Sequence, residues 1–318
     1  MKIVDFSTTH MEQAVQIAKQ NYFEEKRFVP ELPDLDTISP LESYVEDDLG
    51  VAAFDNNTMI GYMFAIGPFN NAFRSTNAIG VFSPMGSHGA VLDNRAKIYA
   101  RMYQEVAKKW IQVGASSHAV CLYSHDKVTQ EQFFRYGFGL RCVDAICNVK
   151  EITVTACEGY TFSKVISSNA LSVLPLENMM HRSYLDSPFF MYRSELNAGD
   201  WMTYWEENQP ICYASYHNDE IVAFIISELD GENFIKYTPG YKHITGMYCL
   251  PEHRGKGVSK KLLGLLIKDL KINGYTRLGV DYESINPSGT GFWQKYFTAY
   301  THSVVRRIDE YAISRNTG

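Results

Sequence analysis

What the sequence lacks narrows its reading first. No apolar run approaches the roughly 20 residues that a membrane span needs. Leu262–Ile267 and Ile221–Ile226 are six residues each, and the longest uncharged apolar stretch, Met59–Phe69, is interrupted by two glycines and a proline. The N-terminal MKIVDFSTTH has no signal-peptide core, because Asp5 and His10 break it, so a cytoplasmic protein with no membrane partner is expected. The six cysteines (Cys121, Cys142, Cys147, Cys157, Cys212 and Cys249) form no CxxC pair and no zinc spacing. Six reduced, mostly buried thiols and no metal are therefore expected. A basic excess is also missing. The net charge of −6 argues against long phosphate tracks, so nucleic acid is not an expected partner. Neither the Walker pattern GxxxxGK[ST] nor the dinucleotide pattern GxGxxG occurs.

What is present is ordinary globular material: 318 residues, 45% hydrophobic and 21% charged, enough for two domains with their own cores. A weak internal repeat divides them. Shifted by about 160 residues, VAAFDNNTMIGYMF (51–64) falls on CYASYHNDEIVAFI (212–225), and both read as a strand, an Asn-containing turn and a strand. The amphipathic stretch RMYQEVAKKWIQVG (101–114) falls on 260–274, Gly114 on Gly274 and Phe133 on Trp293. The first half predicts a strand at 2–6, a helix at 8–26, a hairpin over 51–68 and a strand at 78–83. A long helix capped by Asp93, a strand at 118–123, a helix at 128–136 and a strand at 140–149 complete it. The second half predicts a strand at 160–166, helices at 169–184 and 194–207, a hairpin at 211–228 and a strand at 243–249. A helix at 257–273, a strand at 276–283, a helix at 288–296 and a strand at 301–309 follow. The expected domains are 1–150 and 160–318, joined by a connection at 151–159.

The chemistry concentrates in ITGMYCLPEHRGKGVSKKLLGLLIKDLKINGY (244–275). A strand ends at Leu250-Pro251, a tight loop follows, and an amphipathic helix opens directly from it. Unpaired N–H groups and the helix dipole make such a turn suitable for a phosphate or pyrophosphate. Gly255 and Gly257 let the backbone approach an anion, and Arg254, Lys256, Lys260 and Lys261 supply mobile positive charge. In the first half, the Gly-rich SPMGSHGA (83–90) reads as the matching turn, as a site for another ligand or as plain loop. His125-Asp126 reads as an exposed His beside a helix-capping Asp.

These residues resemble the GNAT N-acetyltransferases, whose acyl-CoA signature is [RQ]-x-x-G-x-[GA]. The match is Arg254-x-x-Gly257-x-Ser259, with Ser in place of Gly or Ala. The family's N-x-x-A-x-x-F-Y-x-x-x-G-F pattern is met by Asn286, Phe292 and Trp293 in register, and FFRYGF (133–138) keeps its ending in the first half. SVVRRID (303–309) is similar to the closing strand of tandem members. The resemblance implies an α+β chain of two tandem GNAT-like domains. Each has a mostly antiparallel central sheet flanked by helices, and the N-terminal domain is degenerate. It implies acetyl-CoA as co-substrate, held by backbone groups of Met247 and Cys249, by the turn Arg254, Gly255, Lys256, Gly257, Val258 and Ser259, and by Asn286. A backbone N–H near Tyr248 or Cys249 would polarise the thioester.

Acyl transfer to an amine needs a base, and an acid helps the departing thiolate. The family's usual acid is a Tyr where Trp293 stands, and an indole does not serve. Tyr296, one turn later, is the replacement candidate. Asp281 and Glu283 alternate onto one face of a strand, and either could take the amine's proton or bind a cationic substrate. Arg306 and Arg307 read as carboxylate binders or as ordinary ion pairs. The expected activity is acetyl transfer from acetyl-CoA to the amine of a small molecule, peptide or protein. The alternative is a non-catalytic acyl-CoA-binding or sensing protein. A monomer with an internal pseudo-dimer, or a homodimer, is expected.

Overall fold

The computed structural model describes residues 1–35, 38, 48–231 and 233–316. The chain divides into two compact units: Met1–Asp144 with Thr298 onward, and Ala145–Phe297. Both are mixed α+β with mostly antiparallel sheets.

The first unit runs β1 (Lys2–Asp5), α1 (Met11–Phe28), β2 (Gly50–Asp55), β3 (Thr58–Phe64), β4 (Ile66–Phe69), β5 (Gly80–Ser83), β6 (His88–Ala90), α2 (Arg95–Gln112), β7 (Ser117–Tyr123) and α3 (Lys127–Arg135). The units divide within β8 (Gly139–Asn148). One sheet orders β1-β2-β3-β6, all antiparallel. In the other, β4 pairs with β5 and β5 runs parallel to β7. The two rows of apolar residues along α2 bury Ile98, Tyr99, Met102, Tyr103, Val106 and Trp110 against β2 and β3. Each fully buried large side chain of this kind contributes about 1.5–3 kcal/mol.

The second unit continues with β9 (Thr161–Val165), α4 (Leu174–Ser183), α5 (Ala198–Asn208), β10 (Ile211–His217), β11 (Glu220–Glu228), β12 (Tyr241–Cys249), α6 (Val258–Ile272), β13 (Arg277–Glu283) and α7 (Pro287–Trp293). Its sheet orders β9-β10-β11-β12-β13, antiparallel except that β12 and β13 run parallel. Asn218 and Asp219 both take left-handed backbone, the two-residue turn that matches strand twist in the β10–β11 hairpin. β11 is covered on both faces, so Val222–Ser227 is buried throughout. Phe224 and Ile226 meet Trp201, Trp205 and Leu176 of α5 and α4, while α6 packs across β10 and β11 with Leu262, Leu263, Leu266 and Leu270 buried.

Four expectations change. The predicted helix at 169–184 is a 3-10 segment, Ser167–Ser172, followed by α4. SPMGSHGA is not a ligand loop: Ser83–Ala90 is completely buried, and its second half is β6, paired with β3. Three of the six cysteines are buried and three only partly so, among them Cys157 in the connecting stretch. Finally, β14 (Thr298–Arg307) and α8 (Glu310–Asn316) do not close the second domain. They belong to the first unit, where β14 pairs with β7 from Thr301↔Tyr123 to Arg307↔Ser117.

Candidate active site

The site begins where two parallel strands part. β12 and β13 pair only from Tyr241↔Arg277 to Ile244↔Val280, yet β12 runs on to Cys249 and β13 to Glu283. A bulge sits at the parting: Ile226 faces Gly246 while Ser227 faces Ile244, which leaves Thr245 as the extra residue. Leu250 N–H donates to Val222 at 3.0 Å on the β11 side. Backbone direction alternates along a strand, so Tyr248 and Gly246 also point toward β11, and Met247 and Cys249 point into the opening. The opening is a cleft of about 780 Å³ within the second unit.

One wall is the glycine turn. Gly255 and Gly257 have φ of 75° and 83°, the left-handed region that only glycine enters cheaply. Gly257 is the N-cap of α6, no side chain caps that end and no acid lies in its first turn. The N–H groups of the first turn have no intrahelical acceptor, as at any helix start, and the dipole adds positive potential. Arg254 is not mobile: its Nε donates to the Cys249 carbonyl at 2.9 Å and its guanidinium lies 5.6 Å from the centre of the Tyr248 ring. Lys260 lines the cleft. Burial pushes the Cys249 thiol pKa up, against the lowering by Arg254 and Ser259, so it stays protonated and is no nucleophile.

The opposite wall is acidic. Asp281 and Glu283 both line the cleft, and buried Tyr282 lies between them. Asp281 is held from behind. Tyr241 Oη lies 2.7 Å from His243 Nδ1, and His243 Nε2 lies 2.8 Å from Asp281 Oδ1. With the tyrosine donating to Nδ1, the Nε2–H donates to the carboxylate. This relay exists because residue 279 is glycine: a Cβ there would sit 1.9 Å from Tyr241 Oη. A third wall comes from the segment after α4. Tyr184 carries the Arg193 guanidinium 4.6 Å above its ring centre, and both line the cleft. Burial raises the Tyr184 pKa, Arg193 lowers it, and Glu177, Glu283 and Asp281 raise it, so all four charges lie within electrostatic reach of the phenol. Behind the bulge, buried Glu177 sits 3.2 Å from His181 Nε2, and its Oε2 has no hydrogen-bond partner.

The model of the acetyltransferase (GNAT) family matches residues 177–297. Residues 177–297 carry a GNAT-family domain. A GCN5-related N-acetyltransferase from Sphaerobacter thermophilus is similar in structure at a TM-score of 0.58 and 10% identity. The match covers 96% of this chain and 95% of that one, so the fold extends over nearly the whole polypeptide. A tandem GNAT protein from the clavulanic acid biosynthesis pathway matches at a TM-score of 0.43 and 10% identity, over 96% and 98%. An N-acetyltransferase from Staphylococcus aureus Mu50 matches at 0.36 and 14%, over 47% and 99%. No curated protein matches the sequence.

Most residues expected at the GNAT site meet at the cleft. Met247, Tyr248, Cys249, Arg254, Gly255, Gly257, Val258, Ser259, Asp281, Glu283 and Asn286 all line it. Lys256 is exposed outside the lining. Tyr296, half-buried and beyond the end of α7 at Trp293, is not part of the lining either; its ring packs 5.1 Å from Phe292. Asn286 has a second duty: its Oδ1 accepts from Gly289 N–H at 2.8 Å and caps α7, which leaves Nδ2 as its donor. Arg307 pairs with Glu310 in the first unit, and the arginine facing the acidic wall is Arg193. Tyr184, Arg193 and His243 escaped sequence reading. The Gly279 beside a Tyr-x-His strand was the available signal.

The first unit differs at the corresponding place. Val91 N–H donates to Ile60 as Leu250 donates to Val222, which aligns the two strand ends. From there the chain needs only Leu92, Asp93 and Asn94 to reach α2, whereas the seven residues from Pro251 to Gly257 lie between Leu250 and α6. The missing loop has become helix: α2 has 18 residues and α6 has 15. Asn94, not Asp93, is the N-cap, and Arg95 at the helix start is paired with Glu24 at 2.7 Å and Asp126 at 3.2 Å. Asp126 caps α3 and His125 is exposed, both as expected; the imidazole lies 2.9 Å from Glu25 and stacks on Phe28.

Proposed function

We propose that this protein transfers the acetyl group of acetyl-CoA to an amine, through one site in the second unit. The observation that carries the reading is that the parting of β12 and β13 and the glycine-led start of α6, which no side chain caps, line one cleft. The cleft matches a long ligand with an anionic end and an amide-rich arm. The α6 turn suits the pyrophosphate, the open edge at Met247 and Cys249 suits the arm's amides, and Asn286 Nδ2 offers a further donor. No metal is called for.

Asp281 or Glu283 takes the proton from the bound ammonium, directly or through water. The free amine attacks the thioester carbonyl, forming the C–N bond. An N–H on the open edge, from Met247 or Cys249, stabilises the oxyanion. The nitrogen gives up its second proton to water, collapse breaks the C–S bond, and the departing thiolate takes a proton to become the CoA thiol. Of the three tyrosines that line the cleft, Tyr184, Tyr248 and Tyr282, we assign the acid to Tyr184 in place of Tyr296; its raised pKa keeps it protonated at neutral pH and able to donate. The test is titration calorimetry with CoA, together with thiol release from acetyl-CoA plus amines. One CoA per chain and amine-dependent thiol release are expected. A second equivalent site, or CoA binding with no amine-dependent release, would overturn this assignment.

A further inference from the structure

Resting on that reading, we propose that the acceptor is an amino carboxylate, an amine carrying its own carboxylate, with Arg193 as the specificity-determining residue that takes the carboxylate.

Arg193 makes no ion pair and no side-chain hydrogen bond among the described residues; its one contact of this kind is the stack on Tyr184 at 4.6 Å. Its Nε is inaccessible to solvent and unpartnered. A partly buried guanidinium without an acceptor is costly to keep, and a fold normally supplies a carboxylate or carbonyl for it. The ring contact holds the fork in place and leaves its donors unspent, the arrangement that suits a planar bidentate carboxylate. The neighbouring arginine makes the contrast: Arg182 is satisfied by Glu195 at 3.3 Å.

Arg193 faces the same cleft as Asp281 and Glu283, and Tyr184 lies within electrostatic reach of all three. A plain polyamine would find the acidic wall favourable and Arg193 repulsive. A carboxylic acid without an amine would find the reverse. Only a molecule with both charges satisfies both walls, and the ammonium then lies at the carboxylates that must deprotonate it. Because the cation is Arg and not Lys, recognition depends on fork geometry as well as charge.

The experiment compares the L-amino acids with their carboxamides and with their decarboxylated amines, by thiol release from acetyl-CoA. Wild-type kcat/KM should favour at least one free amino acid over its matched amine by tenfold or more. Arg193→Gln should collapse that ratio through KM, with kcat less affected, and Arg193→Lys should restore it only in part. CoA affinity, measured by calorimetry on each variant, should equal wild type and serves as the control for folding. Equal losses on carboxylate-bearing and carboxylate-free amines would make Arg193 structural and overturn the proposal. So would a wild-type preference for the decarboxylated amines, or no turnover of any amino carboxylate while CoA still binds. Absence of CoA binding in the wild type would instead overturn the acetyltransferase reading beneath it.

Discussion

At Gly257 the demand falls on the backbone. A Cβ there would meet only Cys157 Sγ at 3.5 Å, so space is not the obstacle; φ of 83° is. A left-handed residue costs a non-glycine about 1–2 kcal/mol, and a β-branched one more. Gly257→Val should therefore weaken CoA binding more than tenfold by displacing the turn. Arg254→Ala should cost less, because that side chain is exposed and screened by salt. Calorimetry decides; a wild-type affinity for Gly257→Val would remove the turn from the site. Asp281→Asn should lower kcat by about 10²-fold, measured by thiol release at saturating amine. An unchanged kcat would assign the base to Glu283. The glycine turn was legible in the sequence because its chemistry is local, and the two carboxylates because strand alternation is. The Tyr241–His243–Asp281 relay was not, since it joins strands 38 residues apart in sequence through a hydrogen bond. Arg193 was not, since it lies in irregular chain with no period to read.

Among the elements, α7 shows one side chain serving two ends. Asn286→Ala removes the N-cap and should lower stability by about 1 kcal/mol, measured as the urea midpoint. Asn286→Asp keeps an acceptor for Gly289 N–H but loses the Nδ2 donor. It should hold stability near wild type while weakening CoA binding. If both substitutions leave CoA affinity unchanged, Asn286 is a cap alone. The long amphipathic helices and both hairpins were legible because periodicity and turn residues carry them. β6 was not, because three residues within a Gly-rich stretch look like loop until β3 supplies a partner. The end of α7 at Trp293 was equally hidden. Three glycines and prolines in seven residues make that helix short, and with it went the case for Tyr296.

For the whole molecule, acid should be felt through buried imidazoles. Burial pushes His88 and His118 down to about 4, while each is wedged between a tyrosine hydroxyl and a carbonyl. The unfolded value is about 6.5, so the unfolded chain binds these protons first. Stability is therefore level above about pH 6.5 and falls as pH drops toward 4, by at most about 3 kcal/mol per histidine. Glu25 opposes this, since burial raises its pKa and the folded form accepts its proton sooner. Urea midpoints at pH 7.5, 6 and 5 should decline in that order; a flat series would show that these imidazoles do not limit stability. The placement of β14 has a different consequence, one of timing. The strand that covers the edge of β7 lies at the far end of the chain, beyond the entire second unit. A ribosome must therefore make about 300 residues before the first unit acquires its last piece of sheet. Until then the edge of β7 stays open, and a nascent chain stalled near Phe297 presents it to any other strand nearby.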